Sequence, residues 1–450
     1  MPHLVLALMT GQGAGAPSLL KYIDMESETE FGSNNTTPTS ISPLSNGNYL
    51  NIGWTHLRDA GTTKVGGYAQ IINKNDSSIV ATKLFRPNPE STAQTQIIWA
   101  GQHSSGDIIA VGFHSDLNGG DSLVFRLSST DLSTIAVYSL GEAGYDAPTE
   151  AVMIGDTVFI GGYNGSENGV WRFHEVDVSA GSIAYTTTHR ISTTGTGGAV
   201  PTVMRVNNAG NIVVAGQTGN SGAPQALYIF NSTMTSILGD SEITGVSPYS
   251  MDFDSSDNIY IVGSRSGQGS QPGIMKVSSD GTTLLGQSGI YTPTTTVGET
   301  FTDVVVDSNN DVYAIGYYDF GISARNDIVL AKYNSSVVLQ EYHVLRWNDG
   351  GDINSHERNG LITLTGDGGK LVMTGQSGIS GGYYFWWVTD KTPTTGQSVK
   401  YEIISSTPVS QSPSATVSGF TGSILSTTTV ANTGTPSLTA TDLTPIVFDG

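Results

Sequence analysis

The stretch DSNNDVYAIG, residues 307–316, contains the pattern that decides the fold of this chain. A turn rich in Asp, Ser and Asn is followed by an alternating apolar strand that ends in glycine. Asn, Asp and Gly are favoured in such turns because they accept the positive φ that tight hairpins require. Further copies of the pattern end at Gly53, Gly112, Gly161, Gly216, Gly263 and Gly375.

These glycines and Gly316 recur at intervals of 59, 49, 55, 47, 53 and 59 residues. A period of about 40–50 residues with several short strands per unit is typical of propeller blades. The sixth unit is predicted to have four strands, at 300–306, 311–318, 327–333 and 337–345. No long segment has apolar residues at helical spacing, so the sequence predicts an all-β, seven-bladed propeller. The closing glycines indicate either a β-bulge or the close approach of a neighbouring sheet.

Two segments compete to complete the seventh unit, which has only three clear strands of its own. SLLKYIDM (18–25) has the pattern of an outer strand without three preceding partners, and SVKYEII (398–404) is the alternative. We expect the N-terminal strand to close the ring, because this pairing hides a sheet edge that would otherwise template aggregation. The predicted domains are a leader or anchor at 1–16, the propeller at 17–392 and an extended Ser/Thr-rich arm at 393–450.

The charge and composition of the 450 residues restrict the classes of partner. The net charge is −20 although only 13% of the residues are charged. A field of that sign repels phosphate backbones and anionic lipid, so we predict no nucleic-acid partner and no membrane insertion. Cysteine is absent, which excludes disulfides and thiolate metal sites. The apolar start is too short to cross a bilayer and lacks the Lys/Arg region of a secretory signal.

A resemblance follows from the string D-x-x-x-N/D-φ-Y-φ-φ-G and the D-φ-φ-φ-x-K after it, as in DSNNDVYAIG and NDIVLAKY. This string resembles the SBBP-type bacterial β-propeller repeat. The resemblance covers most of residues 36–388 and is weaker in the third and seventh units. It implies the propeller fold and no shared catalytic constellation.

The segment MDFDSSDN places Asp252, Asp254 and Asp257 close together, as oxygen ligands of Ca²⁺ would be. A helix–loop–helix calcium loop needs Gly at its sixth position and Glu at its twelfth, and this segment has Asp257 and Gly263 there. Because it aligns with the hairpin turns of the other units, turn chemistry is the preferred interpretation. The eight histidines form no pair with metal-ligand spacing, so no metal site is predicted.

Two glycine-rich motifs are interpreted as loops. GISGG (378–382) matches G-x-S-x-G around Ser380, but a strand rather than a helix follows it. GQGAG (11–15) follows no strand and lacks the Lys of a phosphate-binding loop.

Five side chains are the candidate ligand-binding residues. His56 and His114 come just after the closing glycines of the first two units, so equivalent positions in neighbouring blades would bring them to one rim. Trp54 and Trp347 are aromatic residues near loops that could stack on a sugar ring. Trp386 belongs to the aromatic run YYFWW, for which core packing is the first interpretation and sugar stacking the alternative.

No catalytic motif is present, and carboxylates lie in almost every turn, so no catalytic pair is singled out. We therefore expect a non-enzymatic structural and interaction propeller without a cofactor. Its expected setting is the virion of a tailed bacteriophage, in the tail, collar or fibre, where the terminal segments anchor it to other virion proteins or to further copies of itself. The alternatives are an extracellular, cell-surface or receptor-binding propeller that recognises host glycan, and a polysaccharide lyase or hydrolase.

Overall fold

The structure, a computed structural model, is all-β, and its antiparallel sheets form the blades of a seven-bladed propeller. It describes residues 19–24, 31–59, 62–86, 94–115, 121–140, 146–164, 169–193, 198–219, 225–265, 271–291, 300–319, 326–347, 358–376, 383–392, 396–397, 401–405, 409–410, 417–419, 423–428 and 439–443. The predicted leader and both glycine-rich motifs lie outside these residues. Over the same ranges, helical structure is limited to a single turn of 3₁₀ helix, Ser179–Gly181, and no helix is long and apolar enough to cross a membrane.

Strand β1 (Leu19–Asp24) precedes the first blade. Each of the first six blades is then built from four consecutive strands. The first blade has β2 (Phe31–Pro43), β3 (Tyr49–Asp59), β4 (Thr62–Ile72) and β5 (Ile79–Arg86). The second has β6 (Thr95–Gln102), β7 (Ile108–His114), β8 (Asp121–Leu127) and β9 (Thr134–Leu140). The third has β10 (Asp146–Ile154), β11 (Thr157–Asn164), β12 (Val170–Asp177) and β13 (Ala184–Ser192). The fourth has β14 (Val200–Val206), β15 (Ile212–Gln217), β16 (Gln225–Phe230) and β17 (Ile237–Ile243).

The fifth blade has β18 (Val246–Phe253), β19 (Ile259–Arg265), β20 (Pro272–Val277) and β21 (Leu284–Tyr291). The sixth has β22 (Thr300–Val306), β23 (Val312–Asp319), β24 (Asn326–Tyr333) and β25 (Leu339–Trp347). The seventh has β26 (Arg358–Leu364), β27 (Lys370–Gln376) and β28 (Tyr383–Asp390). Short strands follow: β29 (Gly396–Gln397), β30 (Tyr401–Ser405), β31 (Val409–Ser410), β32 (Val417–Gly419), β33 (Ser423–Thr428) and β34 (Thr439–Leu443).

The N-terminal strand completes the seventh blade, as the sequence predicts. β1 pairs antiparallel with β28, and Leu19 lies opposite Val388. The competing segment pairs elsewhere, because β30 lies against β25 of the sixth blade, with Tyr401 opposite Trp347. The two ends of the ring are thus joined within one sheet, which confirms the predicted closure.

The C-terminal arm lies along the outer edges of the chain's own blades. In chain order, β30, β31, β32 and β33 pair with the outer strands of the sixth, fifth, fourth and third blades, and β34 pairs with that of the first. The arm therefore runs round the ring in reverse blade order and adds a fifth strand to five blades. The described parts of the arm are held by edge strands of the same chain, because backbone pairing needs no apolar side chains. The anchoring of the terminal segments to neighbouring proteins stays a prediction.

The hydrophobic core is divided among the boundaries between blades. Seven buried clusters occur, each made of residues from two adjacent blades. Both faces of the inner strands are therefore buried, which explains why a strand such as β7 is apolar at nearly every position. Alternation in the aromatic run follows the same division: Phe385 and Trp387 pack toward the sixth blade, and Tyr384 and Trp386 toward the first.

Candidate functional site

The first strand of every blade lines a central channel with a volume of about 600 Å³. Among the described residues, all seven blades contribute to the lining of this channel. Its walls carry threonine hydroxyls together with the charged side chains of Glu150, Arg205, Asp252 and Asp303.

Each of these first strands contains a β-bulge at the same place. The pairing with the second strand shifts at Pro38/Ser40, Ile97/Trp99, Pro148/Glu150, Pro201/Val203, Pro248/Ser250, Phe301/Asp303 and Arg358/Leu361. A bulge bends the strand and leaves one residue unpaired, which is also why proline is tolerated there. In the first six blades the unpaired residue lines the channel: Thr39, Ile98, Thr149, Thr202, Tyr249 and Thr302.

The repeated glycine is required by this bulge. A methyl group at Gly263 would overlap the carbonyl oxygen of Ser247, and one at Gly316 would overlap that of Thr300. The sequence leaves open whether the glycine marks a bulge or the approach of a neighbouring sheet. In the structure the bulged first strand of the same blade makes the close approach at Gly53, Gly112, Gly216, Gly263 and Gly316. Gly161 is different, because a methyl group there would meet Met204 of the next blade.

Threonines at the bulge connect one blade to the next. The Oγ1 atoms of Thr39, Thr149 and Thr302 donate to the carbonyl oxygens of Ile97, Pro201 and Gly360 at 2.6, 2.5 and 2.5 Å, respectively. Each acceptor belongs to the first strand of the following blade. The hydroxyls therefore link the innermost strands round the channel.

The charged side chains of the channel also bridge blades. The Nη1 atom of Arg205 lies 3.0 Å from Oε2 of Glu150, across the boundary of the third and fourth blades. The Oδ2 atom of Asp252 accepts a hydrogen bond of 2.6 Å from the backbone N–H of Val306 in the next blade. Asp303 accepts bonds from both of its neighbouring blades.

Burial is the main influence on the protonation of these carboxyls. It raises the pKa of Asp252 to about 6, against the opposing effect of the backbone N–H of Val306. Burial also raises the pKa values of Glu150 and Asp303, while the guanidinium of Arg205 acts to lower both. The channel consequently holds carboxyls that take up protons more readily than exposed ones do.

The sequence alone did not single out these channel carboxyls. A signal was present, because DAPTEAV and TFTDVVV each place a charged residue inside an apolar first strand. Glu150 and Asp303 come directly after the bulge threonines Thr149 and Thr302. A charged residue at that position indicates a channel-facing side chain once the bulge is known.

Two of the candidate residues are in contact. The rings of Trp54 and His56 lie edge to face, with centroids 5.6 Å apart and an interplanar angle of 71°. Both side chains are partly buried. Burial lowers the pKa of His56, and its Nδ1 is buried without a hydrogen-bond partner. His114 lies in the adjacent blade, where its Nδ1 is 3.1 Å from Oγ1 of Thr95.

Trp386 is a core residue. It is fully buried between the first and seventh blades, where Nε1 donates to Oγ of Ser77 at 3.2 Å and the ring centroid lies 5.6 Å from that of Tyr49. No face of this indole is open to a sugar, so core packing is its role. Trp347 ends β25, at the position paired with Tyr401 of the arm.

The three aspartates of MDFDSSDN are used separately. Oδ1 of Asp254 accepts bonds from the backbone N–H groups of Ser256 and Asn258, at 2.9 and 3.0 Å, as in other Asx turns. Oδ1 of Asp257 accepts from the backbone N–H of Asn208 at 2.8 Å, in the turn of the preceding blade. Asp252 lies in the channel. Across the described ranges, no three His, Asp or Glu side chains have the arrangement of a metal site.

Comparison with known proteins supports the fold. No family model and no curated protein matches the chain. Among solved structures, hydrazine synthase from Kuenenia stuttgartiensis has a TM-score of 0.51 and 8% identity over 79% of this chain and 96% of that one. The Pan2 WD40 domain from Neurospora crassa has a TM-score of 0.45 and 9% identity over 79% and 90%. Identities this low show the propeller fold alone, so the resemblance to the SBBP-type repeat is supported only at that level.

Proposed function

We propose that this chain is a non-enzymatic β-propeller that serves as a structural and protein-interaction module. The observation that carries the proposal is the use of the channel carboxyls. Oxygens of Glu150, Asp252 and Asp303 accept hydrogen bonds that join neighbouring blades. A catalytic carboxyl needs a free oxygen within hydrogen-bond reach of its substrate. The hydrogen bonds of these groups are made within the ring instead.

More specifically, we propose that the chain is a virion component of a tailed bacteriophage, in the tail, collar or fibre. Its partners there are other virion proteins or further copies of the chain. The covered sheet edges support this setting, because exposed edges promote uncontrolled pairing between closely packed molecules. An arm that pairs with five blades of its own ring leaves a rigid module suited to a crowded assembly.

The test compares the full-length protein with a variant that lacks residues 405–450. We expect the full-length chain in purified particles and the truncated chain outside them, while circular dichroism shows that the truncated chain keeps the strands of the propeller. Truncated protein that is still found in particles would disprove the anchoring role of the arm. A stable monomer absent from particles would contradict the virion assignment altogether.

The non-enzymatic part has its own test. Purified protein and an Asp303→Asn variant are incubated with capsular polysaccharides, and release of reducing ends or unsaturated sugars is measured. We expect no turnover from either protein. Turnover by the wild type that the variant loses would establish the lyase or hydrolase alternative.

Glycan recognition is the second candidate function, and the partly exposed pair of Trp54 and His56 favours it. An aromatic ring at a rim offers a flat apolar face to a sugar. In that case Trp54→Ala abolishes binding on a glycan array, whereas Trp54→Phe retains part of it. Binding that is unchanged in Trp54→Ala excludes this rim as the glycan site.

A further inference from the structure

Arg265, the last residue of β19, is a buried cation that has no anionic partner among the described residues. The residue is only 8% exposed. Its Nη1 donates to Oε1 of Gln271 at 3.3 Å, and its Nε is buried with no hydrogen-bond partner. Burial lowers the pKa of this guanidinium, whereas a nearby carboxylate would raise it. Within the described residues the charge of Arg265 is therefore not neutralised.

Five other cations of the ring differ from Arg265. Close carboxylates neutralise them in the pairs Arg126–Asp107, Arg205–Glu150, Lys276–Asp254, Lys332–Asp311 and Lys391–Asp307, at 2.7, 3.0, 2.9, 3.0 and 2.5 Å. Removing a charge from water is costly unless an opposite charge and hydrogen bonds compensate for it. Arg265 has one neutral amide oxygen in place of a carboxylate.

The side chain of Arg265 lies in a seat formed by two glycines. A methyl group on Gly273 of β20 would come within 2.7 Å of Cγ of Arg265. One on Gly289 of β21 would come within 3.1 Å of Cδ. These glycines lie opposite each other in the sheet, so the aliphatic stem crosses bare backbone on two adjacent strands. Because these two glycines have no side chains, the Arg265 side chain has room to lie across the fifth blade.

We propose that Arg265 is the centre of an oxyanion-binding site that takes the carboxylate or phosphate group of a small ligand at this end of the fifth blade. The Nη2 end of the planar guanidinium fork presents its N–H donors to the oxygens of such a group, while Nε is enclosed by the protein. The carboxamide of Gln271, whose oxygen accepts from Arg265, has its Nε2–H to offer as a further donor. A bound oxyanion supplies the counter-charge that the described part of the chain does not.

The test is thermal unfolding of the full chain in acetate, inorganic phosphate or chloride at constant ionic strength. We expect the wild-type Tm to rise saturably with acetate, with phosphate or with both, which identifies the preferred group. Arg265→Met is expected to show no anion-dependent rise and to be at least as stable as the wild type in chloride, because the variant removes an unpaired buried charge. Arg265→Lys keeps the charge but not the fork, so its anion affinity should fall at least tenfold.

Arg126→Met is the matched control, because Arg126 is equally buried but paired with Asp107. It should lower the Tm in every buffer and leave the anion-dependent rise intact. The proposal fails if neither anion raises the wild-type Tm, if Arg265→Met shows the same rise, or if Arg265→Met is destabilised in chloride as strongly as Arg126→Met. If the variants do not fold, the wild-type protein is titrated with the anion and the chemical shift of the Arg265 Nε–H is followed by NMR. We expect this chemical shift to change with anion concentration, and a constant shift overturns the proposal.

Discussion

The hydroxyl group of Ser250 donates to Oδ1 of Asp303 at 2.6 Å, across the boundary between the fifth and sixth blades. The second oxygen of Asp303 accepts from the backbone N–H of Ile362 in the seventh blade at 2.9 Å. One carboxyl therefore joins three consecutive blades at the channel. Because such bonds lie in a partly dehydrated site, they are stronger than the same bonds in water.

The buried carboxyls make the stability of the ring depend on pH. The pKa of Asp252 is raised to about 6, while an unfolded Asp titrates near ~3.9. Between these values the folded state binds a proton that the unfolded state lacks, so the free energy of unfolding rises as the pH falls. Asp252→Asn removes the cost of the buried charge. Urea unfolding should show this variant to be about 1–3 kcal/mol more stable than the wild type near pH ~8, with the difference gone near pH ~4.

Asp131→Asn is the control for this experiment. Hydrogen bonds from the backbone and hydroxyl of Ser133 lower the pKa of Asp131 to about 2. The Asp131 carboxyl therefore stays ionised over the pH range in which Asp252 titrates. Its variant should follow the wild-type pH dependence from about pH 5 to about pH 8. A flat wild-type profile, or one that Asp252→Asn does not change, would contradict the assignment to Asp252.

The ion pair of Glu150 and Arg205 should contribute measurably to stability. Glu150→Gln leaves the guanidinium without its counter-charge but also removes a carboxylate whose pKa burial raises, so the single variant combines two opposing effects. A double-mutant cycle with Arg205→Met should give a coupling energy of about 1 kcal/mol or more. Lys370 and Asp390, 3.8 Å apart and 38% and 49% exposed, are the surface control, with an expected coupling below about 0.5 kcal/mol. Equal couplings would show that the channel pair has no special role.

The repeated glycine should tolerate no side chain. Gly263→Ala forces a methyl group against the carbonyl oxygen of Ser247, which belongs to the backbone and cannot rotate away. We expect a loss of about 3 kcal/mol in the free energy of unfolding, measured by urea titration. Gly366→Ala is the control, because nothing lies within 4 Å of its methyl position, and its effect should stay within about 0.5 kcal/mol. A tolerated Gly263→Ala would disprove the steric explanation of the repeat.

A disulfide should lock the closure of the ring. Leu19 and Val388 lie directly opposite each other, and opposed residues in antiparallel strands have a Cα separation that a disulfide can span. The Leu19→Cys, Val388→Cys variant should gain up to about 4 kcal/mol on oxidation, since the bond restricts the unfolded chain. The chain has no other cysteine to compete. Leu20→Cys with Val388→Cys is out of register and should form the bond poorly. Equal oxidation of both variants would contradict the register.

The arm should protect the outer strands that it covers. Removing residues 401–450 frees the edges of β25, β13 and the other three partners, so their amides should exchange faster in hydrogen-exchange mass spectrometry. β9 of the second blade is the internal control, because no arm strand pairs with it among the described residues. Unchanged exchange in β25 and β13 would show that the arm does not pair with the ring in solution. The freed edges should also increase self-association in light scattering.

Much of the ring could be predicted from residues that repeat. The spacing of Gly53, Gly112 and their equivalents predicted seven blades, because a turn and a strand are local structures that short stretches specify. The lone outer strand near the N-terminus predicted ring closure because an unpaired edge is unfavourable. Both predictions are confirmed. The division of YYFWW between two faces also followed from alternation.

The channel and the arm could not be predicted in this way. Glu150 and Arg205 are 55 residues apart, and the contact of their charges depends on the order and tilt of two blades. The partner of Tyr401 is Trp347 rather than the seventh blade because strand pairing is set by which edge is free nearby, and the closing strand already occupies the seventh edge. Likewise, ordinary residues surround Arg265 in the sequence, and only the sheet shows that its side chain lies across two distant glycines, Gly273 and Gly289.

By itself, the sequence determined the blade number, the turns and the closing strand, because these depend on neighbouring residues and on a period that repeats along the chain. The tertiary structure alone decided which charges meet in the channel, which edges the arm covers and which cation has no carboxylate beside it among the described residues. Those features join residues that are far apart in the chain, and their energies depend on burial and distance, which exist only once the ring has closed.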